Sequence, residues 1–186
     1  MTPLTEIAHQ RIAARLHSGD LAFDLTAGNG WDSLFLAQCV GSAGRVYALD
    51  IQQQAIDQTS RLLATHEINW CELHCRSHAE LLEFCQEKQL STAQAIMMNL
   101  GYLPGGSHAL VTRPESTLAA IQFAVELLSA GGVMTILAYP RHEGGAEELQ
   151  LVQQTLSELN SEQFEIETMA GSTAKSPVLF VIQKNA

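Results

Sequence analysis

Apolar residues along the chain follow two alternating patterns. In the first stretch they recur three to four positions apart, which is typical of an amphipathic helix: Leu4, Ile7, Ala8, Ile12 and Leu16. Between such stretches lie short, continuous apolar runs bounded by turn-forming residues, which are typical of buried strands. The pattern predicts helices over residues 4–17, 31–40, 52–65, 78–88, 114–129 and 145–159. It predicts strands over residues 21–25, 45–49, 69–74, 93–98, 133–139, 163–168 and 178–183.

The order of these elements predicts the fold class. Strand and helix alternate through most of the chain, which is the pattern of an α/β protein with a mostly parallel sheet and helices on both faces. The last two strands, 163–168 and 178–183, have no helix between them, so we expect an antiparallel pair at one edge. At 186 residues, 46% of them hydrophobic, the chain is long enough for one domain with its own core, spanning residues 1–186.

The charge of the chain is unevenly distributed. A net charge of −10 argues against a broad electrostatic grip on nucleic acid, which depends on Lys and Arg side chains that neutralise phosphates. Residues 143–167 hold no Lys or Arg and carry acids that we expect on a solvent-exposed helix and its exit: Glu143, Glu147, Glu148, Glu158, Glu162, Glu165 and Glu167. The preceding segment, 101–142, is neutral to basic and is therefore the better candidate for contacts with an acidic ligand.

Targeting signals and cysteines add only exclusions. No apolar run approaches the ~18 residues needed to cross a bilayer. The opening sequence MTPLTEIAHQRIAARL lacks the apolar segment of a signal peptide, so we expect a cytoplasmic protein without a membrane partner. The four cysteines, Cys39, Cys71, Cys75 and Cys85, form no CxxC pair. Two histidines lie near Cys71 and Cys75, but zinc-type spacing is missing, so we expect reduced thiols and no metal.

The first strand is followed by a glycine-containing turn, Asp24-Leu25-Thr26-Ala27-Gly28-Asn29-Gly30. Ligands of open α/β sheets bind beyond the carboxyl ends of the strands, and glycines allow close backbone approach. Asp50 ends the second strand 20 residues after Gly30, where an acid accepts hydrogen bonds from both ribose hydroxyls of a nucleoside. The turn therefore predicts a nucleoside-containing cofactor.

Two cofactors and a ligand-free turn are the alternatives for this segment. NAD would place a pyrophosphate on the turn, whereas S-adenosylmethionine has no phosphate and carries positive charge. Asp24 and Asp32 flank the turn, and their negative charge favours the cationic cofactor over a pyrophosphate. After the third strand, Ser77 and His78 are candidates for the adenine edge. The alternative for Ser77 is a helix cap.

The fourth predicted strand ends in Asn99-Leu100-Gly101-Tyr102, which has the layout of the [D/N]PP[Y/F/W] tetrad of amine methyltransferases. An attacking amine needs acceptors for its N–H groups, and the Asn99 side-chain oxygen and the Leu100 backbone oxygen are two candidates. Tyr102 would face the planar or cationic part of the substrate. The alternative is a Gly/Pro turn that contains an incidental asparagine.

With these motifs in place, the whole chain resembles the small class I methyltransferases labelled rRNA methylases, members of which are assigned to methylate the 5-aminomethyl group of wobble 2-thiouridine in tRNA. The matching stretches are 24–30 with Asp32, Asp50-Ile51-Gln52, Ser77-His78, 99–106, 112–117, Gly131-Gly132, and 139–142 with Gly144 and Glu147. The resemblance implies a Rossmann-like fold, S-adenosylmethionine as cofactor and a tRNA anticodon stem-loop as substrate. It assigns cofactor contacts to Asp24, Thr26, Ala27, Gly28, Asn29, Gly30, Asp32, Asp50, Ile51, Gln52, Ser77, His78 and Asn99.

The acceptor side has its own set of candidate residues. Candidate substrate contacts are Tyr102, Pro104, Gly105, His108, Arg113, Tyr139, Arg141 and His142, together with Lys175 from the late loop. Trp31 replaces the family's usual histidine, and Arg141 replaces its usual glycine; Trp31 is alternatively a buried aromatic. Two alternatives to the tRNA reaction remain. The first is a methyltransferase that acts on rRNA, a small amine or a protein nitrogen. The second is a non-catalytic subunit that binds the cofactor. For a homodimer, the apolar first helix and the acidic segment are both candidate interfaces.

Overall fold

The computed structural model describes residues 2–101, 112–171, 173 and 176–186. The predictions for Tyr102, Pro104, Gly105, His108 and Lys175 lie outside these residues. The helices are α1 (Leu4–Ala13), α2 (Trp31–Val40), α3 (Gln53–Thr65), α4 (Leu81–Lys88), α5 (Pro114–Leu127) and α6 (Gly145–Ser157). The strands are β1 (Leu21–Asp24), β2 (Arg45–Asp50), β3 (Cys71–Cys75), β4 (Ala93–Leu100), β5 (Leu128–Ala138), β6 (Phe164–Ala170) and β7 (Val178–Lys184).

The strands form one seven-stranded sheet in the order β3-β2-β1-β4-β5-β7-β6. β7 is antiparallel to both β5 and β6, and the other pairs are parallel. The predicted α/β fold with an antiparallel pair at one edge is therefore confirmed, and the reversed strand is β7, inserted beside the edge strand β6. The chain order reverses between β1 and β4, which creates the crevice where open α/β sheets bind ligands.

The two faces of the sheet are covered by different helices. On one face, alternate residues of β4 such as Ile96 and Met98 pack in a core cluster with apolar residues of α4, α5 and α6. On the other, Ala95 and Met97 pack with residues of α1, α2 and α3. Because successive side chains of a strand point to opposite faces, Asn99 shares the face of α1 and α2. This placement decides which side chains can reach Asn99.

Two strands are longer than the sequence pattern indicates. β4 continues to Leu100, because Asn99 pairs with Leu137 and Leu100 pairs with Ala138 of β5. β5 begins at Leu128 instead of residue 133, and its ladder with β4 has an irregularity between Ala93 and Ala95. The sheet thus carries the candidate Asn99 inside its hydrogen-bonded ladder rather than on a free loop.

One expectation about surfaces is wrong in part. Glu148, which we expected on a solvent-exposed helix, is only 1% exposed. On α1, a candidate dimer interface that stays a prediction, Ala8 and Ile12 are buried in the core, as is Leu16 just after the helix. The four cysteines are free thiols. In the described part of the chain, no helix combines the length and apolar character that crossing a membrane requires.

Candidate functional site

A cavity of about 700 Å³ opens at the carboxyl ends of β1, β2 and β4, a size typical of small-molecule sites. Sequence-predicted residues that line it are Thr26, Ala27, Gly28, Asn29, Asp32, Asp50, Ile51, Gln52, Ser77, His78, Asn99, Leu100, Arg113 and Tyr139. Also lining it are Thr5, Leu25, Trp31, Gly101, Thr112 and Ser116. The cavity therefore brings together both halves of the predicted site.

The turn between β1 and α2 uses its own backbone N–H groups to fold. Thr26 N donates to Asp24 Oδ1 at 3.1 Å. Ala27 N donates to the Leu49 carbonyl at 2.9 Å, and Gly30 N donates to the Ala27 carbonyl at 2.8 Å. A pyrophosphate cradle needs backbone N–H groups that point at the ligand. Because these donors already have protein acceptors, the turn is poorly suited to a pyrophosphate.

Gly30 closes this turn and is required by its geometry. Its φ of +85° lies in the left-handed region, which side chains with a Cβ rarely adopt. An added Cβ would also lie 2.9 Å from Thr59 Cα on α3. Gly30 is not among the described residues that line the cavity, so its role is to let the turn pack against α3.

Asp50 holds the turn from the end of β2. Its Oδ2 accepts from Gly28 N and its Oδ1 accepts from Gln52 N, both at 2.9 Å. Burial raises the pKa of this carboxyl, and the two backbone donors act in the opposite direction. Asp50 also faces the cavity, so its oxygens fix the turn and remain able to accept hydrogen bonds from a ligand diol.

Asp24, predicted to contact the cofactor, lies buried beneath the turn. Its Oδ2 accepts from Ser33 Oγ at 2.6 Å, and its exposed fraction is zero. Burial first, and then the negative charge of Asp32, raise its pKa to about 7. Asp24 therefore supplies only part of a negative charge near neutral pH, and the electrostatic preference for a cation rests on Asp32 and Asp50.

The loop after β3 supplies the other wall of the nucleoside half. Ser77 Oγ accepts from Ala79 N at 3.2 Å, so the helix-capping alternative is confirmed, and Ser77 also lines the cavity. His78 Nε2 lies 3.1 Å from Ser116 Oγ, which itself donates to the Arg113 carbonyl. Burial lowers the pKa of His78 to about 4, so the ring is neutral at physiological pH. Because Ser116 has used its proton, His78 donates from Nε2 and keeps Nδ1 as an acceptor.

Asn99 is fixed at the end of β4 by two contacts. Its backbone N donates to Thr26 Oγ1 at 2.7 Å, and its side-chain Nδ2 donates to Asp32 Oδ2. A carboxylate only accepts hydrogen bonds, so the amide must present Nδ2 to Asp32 and Oδ1 to its other side. The second oxygen of Asp32 lies 2.6 Å from Nε2 of His9. The predicted acceptor side chain is therefore held in one orientation.

The mouth of the cavity is aromatic. Trp31, the first residue of α2, is 64% exposed, so the alternative of a buried aromatic is wrong. Tyr139, just after β5, is 37% exposed and also lines the cavity. Burial and the charge of Asp32 raise the pKa of Tyr139, which keeps its hydroxyl protonated. Exposed aromatic rings at a cavity mouth are suited to stacking on a planar ligand.

A buried carboxylate supports the far wall of the cavity. Glu148 of α6 accepts from Thr112 Oγ1 at 2.7 Å and from Thr117 Oγ1 at 2.6 Å. Thr112 Oγ1 in turn accepts from Gly101 N at 2.9 Å. His142, predicted to bind substrate, has its Nε2 3.5 Å from Glu148 Oε2, and its side chain is also buried. Neither His142 nor Arg141 is among the described residues that line the cavity.

Several residues of the site carried no sequence signal of their own. Thr5 and His9 lie on an ordinary amphipathic helix, and Ser116 lies in the first turn of α5. Glu148 was one acid among seven in its segment. His9, Ser116 and Glu148 reach the site through contacts with residues far along the chain, which a local pattern does not encode.

Comparisons with known proteins agree with this geometry. A family profile described as "Putative rRNA methylase" matches residues 46–183. A chloroplastic tRNA (mnm5s2U34)-methyltransferase of Arabidopsis thaliana is 36% identical over 158 residues. That alignment covers 80% of this chain and 57% of the plant protein, so the chain spans little more than half the length of this relative.

Two solved structures match over nearly the full chain. A protein of the same description from Clostridium thermocellum superposes with a TM-score of 0.93 and 33% identity, covering 99% of this chain and 98% of the other. A methyltransferase from Streptococcus mutans, solved in complex with SAH, has a TM-score of 0.88 and 30% identity, with 99% of each chain covered. The predicted fold and family are confirmed by these matches.

Proposed function

This chain belongs to the rRNA methylase family, and from that premise we propose that it is an S-adenosylmethionine-dependent N-methyltransferase. We propose further that its acceptor is the 5-aminomethyl group of wobble (2-thio)uridine in a tRNA anticodon stem-loop. The observation that carries the proposal is the fixed amide of Asn99, at the end of β4, in the same cavity as Asp50. The plant relative named for this tRNA reaction supports the choice of acceptor.

The residues of the nucleoside half fit S-adenosylmethionine. When bound, it supplies the methyl group and a sulfonium whose positive charge suits a cavity lined by Asp32 and Asp50. Asp50 and His78 both line the cavity; Asp50 would accept from the ribose hydroxyls, and His78 Nδ1 would accept from an adenine amino group. Among the described residues, Asn29 lines the cavity, and its buried Oδ1 has no hydrogen-bond partner. Such an orphaned acceptor fits a ligand ammonium or N–H group.

On the acceptor side, Asn99 would orient the amine. A neutral amine attacks through its lone pair, so its N–H groups must be held away from the line of attack. The Asn99 side-chain oxygen and the Leu100 carbonyl are the candidate acceptors for those N–H groups. The rate enhancement would come mainly from holding the two reactants in the correct geometry.

The aromatic mouth supports a planar acceptor. Trp31 and Tyr139 would stack on the target base or its neighbour, as aromatic side chains do with unpaired RNA bases. Arg113 lines the same cavity and could contact a phosphate through its guanidinium. The net charge of −10 supports a second candidate, a small amine, because a broad phosphate grip is missing from the composition.

The experiment that tests the proposal uses purified protein, methyl-labelled S-adenosylmethionine, and tRNA from cells that lack the wobble methylation. The RNA is digested and its nucleosides are identified by mass spectrometry. We expect one added methyl group on 5-aminomethyl-2-thiouridine. The matched control is tRNA that already carries the methylated nucleoside, which should accept no label.

Failure of transfer in protein that binds the cofactor would contradict the tRNA proposal and leave the methyltransferase fold unaffected. Ribosomal RNA and small amines, tested in the same reaction, would then identify the acceptor class. Arg113→Ala separates RNA from a small amine. It should weaken transfer to RNA most at low salt and reduce the salt dependence, because one phosphate contact is lost, and it should leave transfer to a small amine unchanged.

A further inference from the structure

We infer that His9, on the first helix and outside the cavity lining, is a positioning residue for methyl transfer that acts through Asp32 on the amide of Asn99. The inference rests on the proposed role of Asn99 as the acceptor of the amine N–H group. Neither the glycine turn nor the Asn99 motif indicates a role for α1. Only the folded chain brings these three residues into one contact series.

The contact series runs from α1 to the end of β4. His9 Nε2 lies 2.6 Å from Asp32 Oδ1, and the other oxygen, Oδ2, accepts from Asn99 Nδ2. The side chain of Asp32 is 12% exposed and that of His9 is 29% exposed. Each Asp32 oxygen thus has a defined partner, one from each side of the carboxylate.

The His9 ring is itself held in place. It stacks on Phe35 of α2 with the ring centroids 3.9 Å apart and the planes 2° from parallel. Because Asp32 can only accept at Oδ1, His9 must donate from Nε2, which fixes the proton on that nitrogen. The stack and the hydrogen bond together orient the imidazole towards Asp32.

The Asn99 amide has two orientations of nearly the same shape, which differ by the exchange of Oδ1 and Nδ2. Its backbone is fixed by the hydrogen bond to Thr26 Oγ1, so the remaining freedom is rotation of the amide. An amide turned by half a rotation would present Nδ2 to the incoming amine in place of Oδ1. The N–H groups of the amide would then face the N–H groups of the amine, donor against donor. The amine would not be held with its lone pair aligned for attack. Asp32 excludes that rotamer because it accepts only from N–H, and His9 keeps Asp32 in the required plane.

Both oxygens of Asp32 already accept a hydrogen bond in this arrangement, one from His9 and one from Asn99. The structure therefore assigns orientation, rather than proton transfer, to the pair of His9 and Asp32. Removing His9 should lower the turnover number with little effect on cofactor affinity. A residue that only stabilised the fold would affect both together.

Two variants of His9 distinguish the stacking of its ring on Phe35 from its hydrogen bond to Asp32. His9→Phe keeps the stack on Phe35 and removes the hydrogen bond to Asp32. His9→Gln removes the stack and places an amide N–H where Nε2 lies. We expect His9→Phe to lower kcat about tenfold, with the SAH dissociation constant changed by less than about twofold. We expect His9→Gln to recover kcat to within about threefold of the wild type.

A second readout does not depend on the acceptor. In 15N-labelled protein, the side-chain NH2 signals of Asn99 are identified by their loss in Asn99→Ala. We expect these signals to move or broaden in His9→Phe and to stay near their original positions in His9→Gln. Thermal unfolding, measured on each variant, confirms that the comparison is made between folded proteins.

The outcomes separate this inference from the proposed function. If the wild type transfers no methyl group to RNA, the proposed acceptor fails, and the Asn99 amide signals still decide whether His9 positions the side chain. Unchanged amide signals in His9→Phe would overturn the inference. So would a wild-type kcat in that variant, or a kcat for His9→Gln as low as that of His9→Phe.

Discussion

The two halves of the cavity are built in different ways. In the nucleoside half, the turn after β1 is held by contacts between near neighbours or between adjacent strands, such as Thr26 with Asp24 and Gly28 with Asp50. In the acceptor half, the defining contacts join distant parts of the chain. Asn99 reaches Asp32 across 67 positions, and Glu148 reaches Thr112 across 36.

This difference has a physical consequence. The glycine turn and Asp50 of the nucleoside half need only β1, α2 and β2, which form one βαβ unit. The acceptor half combines side chains of α1, α2, β4, α5 and α6, so all of these elements must dock before this half is complete. Substitutions in the two halves should therefore have separable effects. Those in the nucleoside half should change cofactor affinity, and those in the acceptor half should change the turnover number.

The largest effect is expected at Asn99. Asn99→Ala removes the proposed acceptor of the amine N–H group and should lower methyl transfer by about a hundredfold or more, because the reactants lose their alignment. The SAH dissociation constant should change by less than about threefold. Steady-state kinetics and calorimetric titration measure the two quantities. Full activity in this variant would refute the proposed role of Asn99.

A matched variant, Asn99→Asp, sharpens the same test. The family tetrad accepts either residue, but here Asp32 accepts a hydrogen bond from the amide Nδ2. Two carboxylates in contact repel each other, so this variant should lose nearly as much activity as Asn99→Ala at neutral pH. Activity near that of the wild type would show that Asp32 does not require a donor at this position.

The next effect is expected at Asp50, in the other half. Asp50→Ala removes the acceptor of Gly28 N and the candidate acceptor of the ribose hydroxyls. It should weaken SAH binding about thirtyfold, while kcat at saturating cofactor falls only a few-fold. Calorimetry and kinetics on the same preparation measure this split. A loss of kcat with unchanged SAH affinity would contradict the assignment of cofactor affinity to the half that contains Asp50.

A smaller effect is expected at the aromatic mouth. Trp31→Ala should raise the KM for RNA about tenfold, because stacking of a base on an aromatic ring contributes about 1–3 kcal/mol. Trp31→Phe retains a ring and should restore most of the affinity. Neither variant should alter SAH binding. An unchanged KM in Trp31→Ala would exclude this side chain from the acceptor site.

The smallest effect on activity is expected at Asp24, which lies below the cavity. Its pKa is raised from 3.8 in the unfolded reference to about 7 in the fold, so the native state binds more protons between these values. Its contribution to stability is therefore full below about pH 4 and is lost as the pH rises towards 7. Asp24→Asn should remove this loss, on the order of a few kcal/mol, and flatten the pH dependence.

Chemical unfolding at several pH values measures the effect. The difference in unfolding free energy between Asp24→Asn and the wild type should grow in favour of the variant from pH 4 to pH 7. Asp32 and Asp50 interact electrostatically with Asp24, so the difference reports the ionisation of Asp24 together with its interaction with these two carboxylates. A constant difference across that range would mean that Asp24 ionises normally in the fold.

Much of the nucleoside half could be predicted because its signals are local. The positions of Gly28, Gly30 and Asp50 follow from one turn and the end of one strand, and the cavity is lined by most residues proposed there. The exception is Asp24, whose burial and bond to Ser33 take it out of the cavity. The sequence pattern placed a carboxylate at this point correctly but could not indicate on which side of the turn it would face.

The alternation of apolar and polar residues was sufficient to predict the α/β fold and the antiparallel pair near its edge, whereas the motifs at the strand ends carried the resemblance to the family. It also marked Asn99 as the residue at the end of the fourth strand. Only the tertiary structure decided which partners orient that residue. His9, Asp32 and Asn99 belong to three elements that are close in space and distant in sequence. Hydrogen bonds act over a few ångströms, so whether they form depends on how those elements pack.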